Sequence, residues 1–312
     1  MASYNVGPLP GDHAFGAVVT GLTAAMLDDP KVRQDLTDLW VDKGVIVFRG
    51  VEGLELQIAL SEIFGEPAEH PLLVGIKDQP RTHHVIADIN YAEGHGDLYL
   101  INGEEIGGYL PWHFDLAYVD KINHGGILRP HVLPERGGET GFIDQITTYD
   151  SLPQRLKDEI EDLEVIYTYQ TDSSIAKFGD RPEKCLHLSP EIVRAASHPV
   201  LQQRAIHPLV YTQAETGRKV VNISPWHAQG IVGRENEEGD ALLREVIDFS
   251  IRPERAYFHK WQPGDMVLWD NWRMMHCACG VPSGEQRRMG RTTISGDYGL
   301  GRWEHAEEDE LV

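Results

Sequence analysis

Two polar residues, His113 and Asp115, stand two apart inside an otherwise apolar ribbon, Y-L-P-W-H-F-D-L-A-Y, that runs from Tyr109 to Tyr118. No other string limits the possible folds of this chain as much. On a β-strand, residues i and i+2 point to the same side, so the imidazole and the carboxylate are expected to converge. Burying a carboxylate among aromatics is costly unless it is paired or bound to a metal. A surface salt pair and a pair of metal ligands are the two readings. The second requires a third ligand from a strand distant in sequence.

The rest of the chain has the texture to supply one. From about Tyr109 onward, short β-type runs recur: GGILRPHVL, AIHPLVYT, KVVNIS, AYFHKW, MVLWDN and RTTISGD. Turn signals such as ETG after Tyr211 and QPGD after Trp261 separate several of them. Many short strands with Gly/Pro turns predict a mainly β fold, a sandwich or jelly roll with flanking helices. The N-terminal third is mixed. DDPKVRQDLTDLWVDKG reads as a helix with Asp29 as cap, Pro30 in the first turn, and a stripe of Val32, Leu36, Leu39 and Trp40. Gly44 ends it, VIVFRG follows as a buried strand, and LELQIALSEIFG is a second helix stopped by Gly65 and Pro67. Further helices are expected over SLPQRLKDEIEDL and DALLREVIDFSI. At 312 residues the chain reads as a single domain, 1–312. Within it the polar, irregular segment 171–203 reads as an insertion or lid, and 303–312 as a solvated acidic tail.

Charge narrows the partners. With 28 basic against 49 acidic residues the net charge is −21, a field that repels phosphate backbones and anionic membranes. A small molecule is therefore the expected partner, without nucleic acid or membrane, and an anionic one needs its own cationic site. No basic stretch leads into an apolar core at the N-terminus, and no apolar run approaches the roughly 20 residues of a membrane span. A cytoplasmic location is the expectation. The three cysteines, Cys185, Cys277 and Cys279, have no framework spacing and read as reduced thiols. HCAC invites a thiolate metal site, but alternation turns Cys277 and Cys279 away from His276.

The best third ligand is His276, at the end of GDMVLWDNWRMMH. An H-x-D pair with a distant histidine is the sequence form of the two-histidine, one-carboxylate facial triad. That triad leaves open positions on the metal and is associated with non-heme Fe(II) oxygenases. Zinc suits similar ligands, so the triad alone leaves the metal open. In EQRRMGRTTISGD, Arg287 and Arg291 fall on one side of a strand with Met289 between them. A guanidinium there can grip the carboxylate of a co-substrate bidentately. Thr140, after the Gly137-Gly138 turn, is placed to add a hydroxyl donor. A solvated basic patch is the plainer reading of the two arginines.

Taken in order, the blocks FGEPAEHP, WHFD, GGET, IHPLV, TGRK, WQPGDMVLWDN, MMH and RRMGRTTISGD resemble the taurine dioxygenase/2,4-dichlorophenoxyacetate dioxygenase family of Fe(II)- and 2-oxoglutarate-dependent oxygenases. They run from about Val45 to Asp297. The resemblance implies a double-stranded β-helix core of the clavaminate synthase-like kind, with Fe(II) as cofactor and 2-oxoglutarate and O2 as co-substrates. Carried over, His113, Asp115 and His276 would hold iron. Arg287 and Thr140 would bind the distal carboxylate of 2-oxoglutarate, with Arg291 near the metal end, toward the substrate's anionic head. His70 would assist that head group, or else be a structural histidine before a proline turn. The same resemblance implies a homo-oligomer, dimer or tetramer. It also implies oxidation of a C–H bond, by hydroxylation, with release of succinate and CO2. Asp115 favours this outcome, because related halogenases lack the carboxylate. A desaturase or a C–O or C–S bond-cleaving enzyme starts in the same way. A non-catalytic jelly roll would not need the ligands, and a zinc hydrolase would leave Arg287 and Thr140 without a task.

The departures bear on substrate. The family's HPVVRTHP pattern reads HPLVYTQA here, which puts Tyr211 and Gln213 in place of basic and imidazole side chains. The run before the triad is long and Gly-rich, and VNISPWHAQG brings Trp226 and His227 to a region where relatives differ. A bulkier anionic substrate, aromatic or hydrophobic, is expected, with Tyr109, Trp112, Tyr118, Tyr211 and Trp226 as walls. The alternative is that these aromatics only fill the core.

Overall fold

The computed structural model describes residues 3–69 and 83–305. Two sheets face each other. The major sheet has eight strands, in the order Asn5–Pro8, Ala17–Thr20, Val45–Arg49, Asp265–Asp270, Gly125–Val132, Arg287–Ile294 and Pro67–Ala68, with Ile86–Tyr91 also paired to Arg287–Ile294. The minor sheet is Tyr257–His259, Thr140–Asp144, Met274–Ala278 and Leu110–His113, all antiparallel. This is the expected jelly roll.

The strands read as continuous apolar runs because both of their faces are buried. Val45, Val47, Val267, Trp269, Leu128 and Met289 of the major sheet meet Phe142, Tyr257 and Met274 of the minor one in a shared core. The alternate residues Ile46, Phe48, Met266, Leu268 and Ile127 turn outward, under Leu36 and Trp40 of helix Pro30–Lys43 and Leu60 and Phe64 of helix Leu54–Phe64. On the far side of the minor sheet, Trp112, Ile143, Met275 and Cys277 pack into a third cluster with Leu156 and Ile160 and with Leu243, Val246 and Ile247 of helix Glu237–Ser250.

Local chemistry sets the helix ends. Asp29 accepts from the Lys31 N–H at 2.9 Å, and Gly44, at φ 73°, returns its N–H to the Trp40 carbonyl, a left-handed terminator that glycine favours. The helix expected over SLPQRLKDEIEDL is Gln154–Ile160, and a separate short helix, Gln145–Ser151, precedes it. Pro153 cannot supply the N–H that a continuous helix needs at that point. The earlier piece is capped by Asp144, which accepts from Ile146 and Thr147.

Segment 171–203 is less irregular than its composition suggests. Lys184–His187 pairs with Leu98–Ile101, which in turn pairs with Glu104–Gly107, and helix Pro190–Ala196 follows with Ser189 as cap. The Ser189 N–H also donates to Asp97 at 2.7 Å. A hairpin that leads directly into Leu110–His113 therefore carries the segment. All three cysteines are free thiols. Among the described residues no helix is long and apolar enough to cross a membrane.

Candidate active site

Register brings the histidines together. His113, last in its strand, lies directly opposite His276, and the two rings are 4.2 Å apart. Asp115 does not continue the strand as alternation supposes; it sits in the turn beyond it. It reaches the site because Asn271 fixes its backbone: Asn271 Oδ1 accepts from the Asp115 N–H at 2.7 Å, and Asn271 Nδ2 donates to the Asp115 carbonyl at 3.1 Å. Leu116, next in line, takes φ 61°, a left-handed value that costs a branched residue energy.

One ligand atom from each of His113, Asp115 and His276 lies within 4.8 Å of the others, and all three residues are buried. The Nε2 atoms of His113 and His276 stand 3.8 Å and 3.6 Å from Asp115 Oδ1. Burial lowers the pKa of His113 and takes that of His276 down to about 3, so both rings are neutral and have a lone pair to offer. His113 Nδ1 lies 2.6 Å from the Pro111 carbonyl. That contact puts the proton on Nδ1 and leaves Nε2 to face the carboxylate. Two neutral imidazoles and one carboxylate, converged and shielded, fit a divalent iron site with open positions.

The two arginines of strand Arg287–Ile294 are both buried, 7% and 6% exposed, and they have different partners. Arg291 forks onto Asp115, with Nη1–Oδ1 at 3.1 Å and Nη2–Oδ2 at 2.7 Å. It lies over the Trp269 ring, and its Nε is buried without a partner among the described residues. Arg287 donates to the Gly138 carbonyl at 3.1 Å and to Thr140 Oγ1 at 3.2 Å. No carboxylate among the described residues is in ion-pair range of it. Burial brings its pKa down to about 10. A lone buried guanidinium is expensive, and an anionic ligand would offset that cost.

Of the expected walls, two approach the triad. The Trp226 ring is 5.4 Å from His113 and stacks on His227 at 4.4 Å. Tyr118 meets His227 at 4.8 Å and Tyr169 at 4.7 Å. The Trp226 Nε1 is buried without a partner among the described residues. Trp112 lies on the opposite face of the minor sheet, 5.9 Å from Phe258 and crowded against Gly141 with Cys277. Tyr211 donates its hydroxyl to the Trp272 carbonyl, bracing the turn that carries Asn271. Tyr109 packs near Tyr99, with ring centres 6.4 Å apart. His70 falls outside the described residues. Sequence reasoning passed over Asn271, Tyr169 and Trp261, and named His227 only as lying where relatives differ; the WDN string next to a strand was the one mark of Asn271.

The family model described as Taurine catabolism dioxygenase TauD, TfdA family matches residues 5–293. An (S)-phenoxypropionate/alpha-ketoglutarate-dioxygenase of Sphingobium herbicidovorans is 32% identical, covering 95% of this chain and 96% of its own. An alkylsulfatase of Acinetobacter baylyi is 26% identical over 92% of this chain and 84% of its own. The crystal structure of a taurine dioxygenase from Burkholderia xenovorans superposes with a TM-score of 0.71 at 24% identity, covering 98% of this chain and 96% of that one.

Proposed function

This chain belongs to the TauD/TfdA family and is an Fe(II)- and 2-oxoglutarate-dependent dioxygenase; on that premise we propose that it hydroxylates a C–H bond of a small carboxylic acid with an aromatic body. His113, Asp115 and His276 hold the iron in this reading. When bound, iron and 2-oxoglutarate supply the O2-dependent oxidation, with succinate and CO2 as co-products. The protein's own residues bind, orient and shield.

The observation that carries the co-substrate assignment is Arg287, a buried cation without a carboxylate, next to a buried hydroxyl at Thr140. A dicarboxylic acid reaching from the metal gives it a partner. Arg291 braces both oxygens of Asp115 and keeps the ligand's orientation, and its unpartnered Nε can donate to a substrate anion. Trp226 and Tyr118, with His227 between them, form an aromatic wall on the His113 side. That wall suits a flat ring better than a short alkyl sulfonate, and the phenoxypropionate relative supports the choice. Burial keeps His227 neutral, its pKa well below the ordinary value, so it adds no charge to the wall.

A second reading follows from the alkylsulfatase relative. Hydroxylation at a carbon that bears an ether or sulfate oxygen gives a product that expels that oxygen substituent, so bond cleavage can follow from the same first step. Succinate release measured across 2-aryloxyalkanoates, alkyl sulfates and alkyl sulfonates, with product mass, separates these. Turnover of 2-aryloxyalkanoates above the rest is expected, and selective turnover of short sulfonates would overturn the substrate assignment. Cytoplasmic residence, a single domain with 171–203 as an insertion or lid and 303–312 as an acidic tail (of which 306–312 lie outside the described residues), and assembly as a dimer or tetramer complete the proposal. Light scattering tests the last of these.

A further inference from the structure

We propose that Trp261 fixes the direction of the Thr140 hydroxyl, making it a donor toward the distal carboxylate of 2-oxoglutarate. The proposal rests on the reading above, in which Thr140 and Arg287 receive that carboxylate.

The argument is one of hydrogen-bond capacity. A threonine hydroxyl has one proton to give and two lone pairs that accept. Here Arg287 Nη2 donates to Oγ1 at 3.2 Å and Trp261 Nε1 donates at 3.1 Å. Guanidinium and indole N–H groups are donors only, so both accepting positions are filled. The remaining proton has no acceptor among the described residues. Thr37 and Thr148, by contrast, give theirs to backbone carbonyls, of Arg33 and Asp144. Thr140 is only 4% exposed, so bulk water offers little alternative. Without the indole, one lone pair would be free and the hydroxyl could rotate to face an incoming carboxylate with oxygen rather than hydrogen. With both donors in place, the only orientation left is the one a carboxylate can use.

Trp261 is well placed to hold this geometry. Its ring meets His259 edge-on at 4.6 Å and 89°, and His259 is the cross-strand partner of Thr140. His259 is in turn held between the Tyr257 hydroxyl at 2.9 Å and Asp265 at 3.2 Å. The indole is thus tied to a buried network and does not depend on the ligand for its position. Trp261 acts through Thr140 and is a positioning residue.

Trp261→Phe keeps an aromatic ring but removes the N–H together with part of the indole, so controls separate the lost donor from lost packing. Calorimetric titration of Mn(II)-loaded protein with N-oxalylglycine or, without oxygen, 2-oxoglutarate should show binding about five-fold weaker, the loss of one net hydrogen bond. In turnover, KM for 2-oxoglutarate should rise while kcat holds. Affinity for 2-oxobutanoate, which lacks the distal carboxylate, should not change. In a Thr140→Val background, Trp261→Phe should have no further effect, whereas with Thr140→Ser it should persist. Additive losses in the Val background, or an equal loss for 2-oxobutanoate, would reduce Trp261 to packing and overturn the proposal. Arg287→Gln separates the two levels. If it leaves 2-oxoglutarate affinity intact, the carboxylate site itself is misassigned. If it weakens binding while Trp261→Phe does not, only the present inference fails.

Discussion

Arg287 and Arg291 lie on the same side of one strand, both buried, yet Arg291 meets a carboxylate and Arg287 meets none among the described residues. Elsewhere the fold pairs its buried Arg273 with Asp144 and its half-buried Arg49 with the buried Asp265. Leaving a guanidinium unpaired in the interior costs stability that pairing would recover. A chain with a net charge of −21 has carboxylates to spare, so the solitude of Arg287 is not a matter of supply. One end of the strand is completed by the protein itself, while the other suits a charge that arrives from outside. The contrast predicts different failures at the two ends.

The largest loss should come from Asp115→Ala, which removes the shared partner of the triad and of Arg291. Substrate-coupled succinate release should fall more than about a hundred-fold, since even outer partners of metal ligands are worth 10–100-fold. Full activity with unchanged iron content would break the assignment. Arg287→Gln should raise KM for 2-oxoglutarate about thirty-fold or more, the lower end of what a buried charge-assisted contact contributes, with little change in melting temperature.

Arg291→Gln should show the reverse pattern. It strands a buried carboxylate, so urea unfolding should report a loss of about 3 kcal/mol with a much smaller rise in KM for 2-oxoglutarate. If the two variants behave alike, the comparison collapses. A third pair serves as a control for a purely structural arginine. Burial opposes ionisation of Asp265, but hydrogen bonds from His259 and Arg49 outweigh it and lower its pKa. A lowered folded-state pKa gives stability that is full above the unfolded value of about 3.9 and is lost as pH falls through the folded one. Asp265→Asn should flatten that acid limb in a melting series. The smallest effect is expected from Trp112→Phe, on the opposite face of the minor sheet, where kcat/KM should stay within about two-fold.

How much of this was legible beforehand depended on which rule applied. Alternation and composition were enough for the β texture and for the helix that starts after Asp29, while His276 was found from the H-x-D pattern and its register opposite His113 was not read. The same alternation, carried one residue back, turns Trp112 away from His113, so its place among the walls conflicted with a rule already in use. Asp115 converged although its strand ends at His113, because Asn271 holds it, and a side chain distant in sequence that bonds to backbone leaves no local periodicity to read. Tyr211 looked like a substrate contact by position in a motif, and its hydroxyl is spent on the Trp272 carbonyl. Segment 171–203 read as irregular because an edge strand paired on one side needs no apolar pattern. Trp261 was invisible for a related reason, since hydrogen-bond capacity is counted between atoms and not along a sequence.

Asn271 takes both the N–H and the carbonyl of Asp115, and it belongs to the turn just before the strand of His276. A ribosome that has finished the WHFD stretch has therefore produced two candidate donors with nothing to hold the second in place. The clamp and the last donor emerge together, with Asn271 156 residues after Asp115. In the proposed reading, iron capture waits for that later segment, and a chain ending before it would be a poor trap for a redox-active ion.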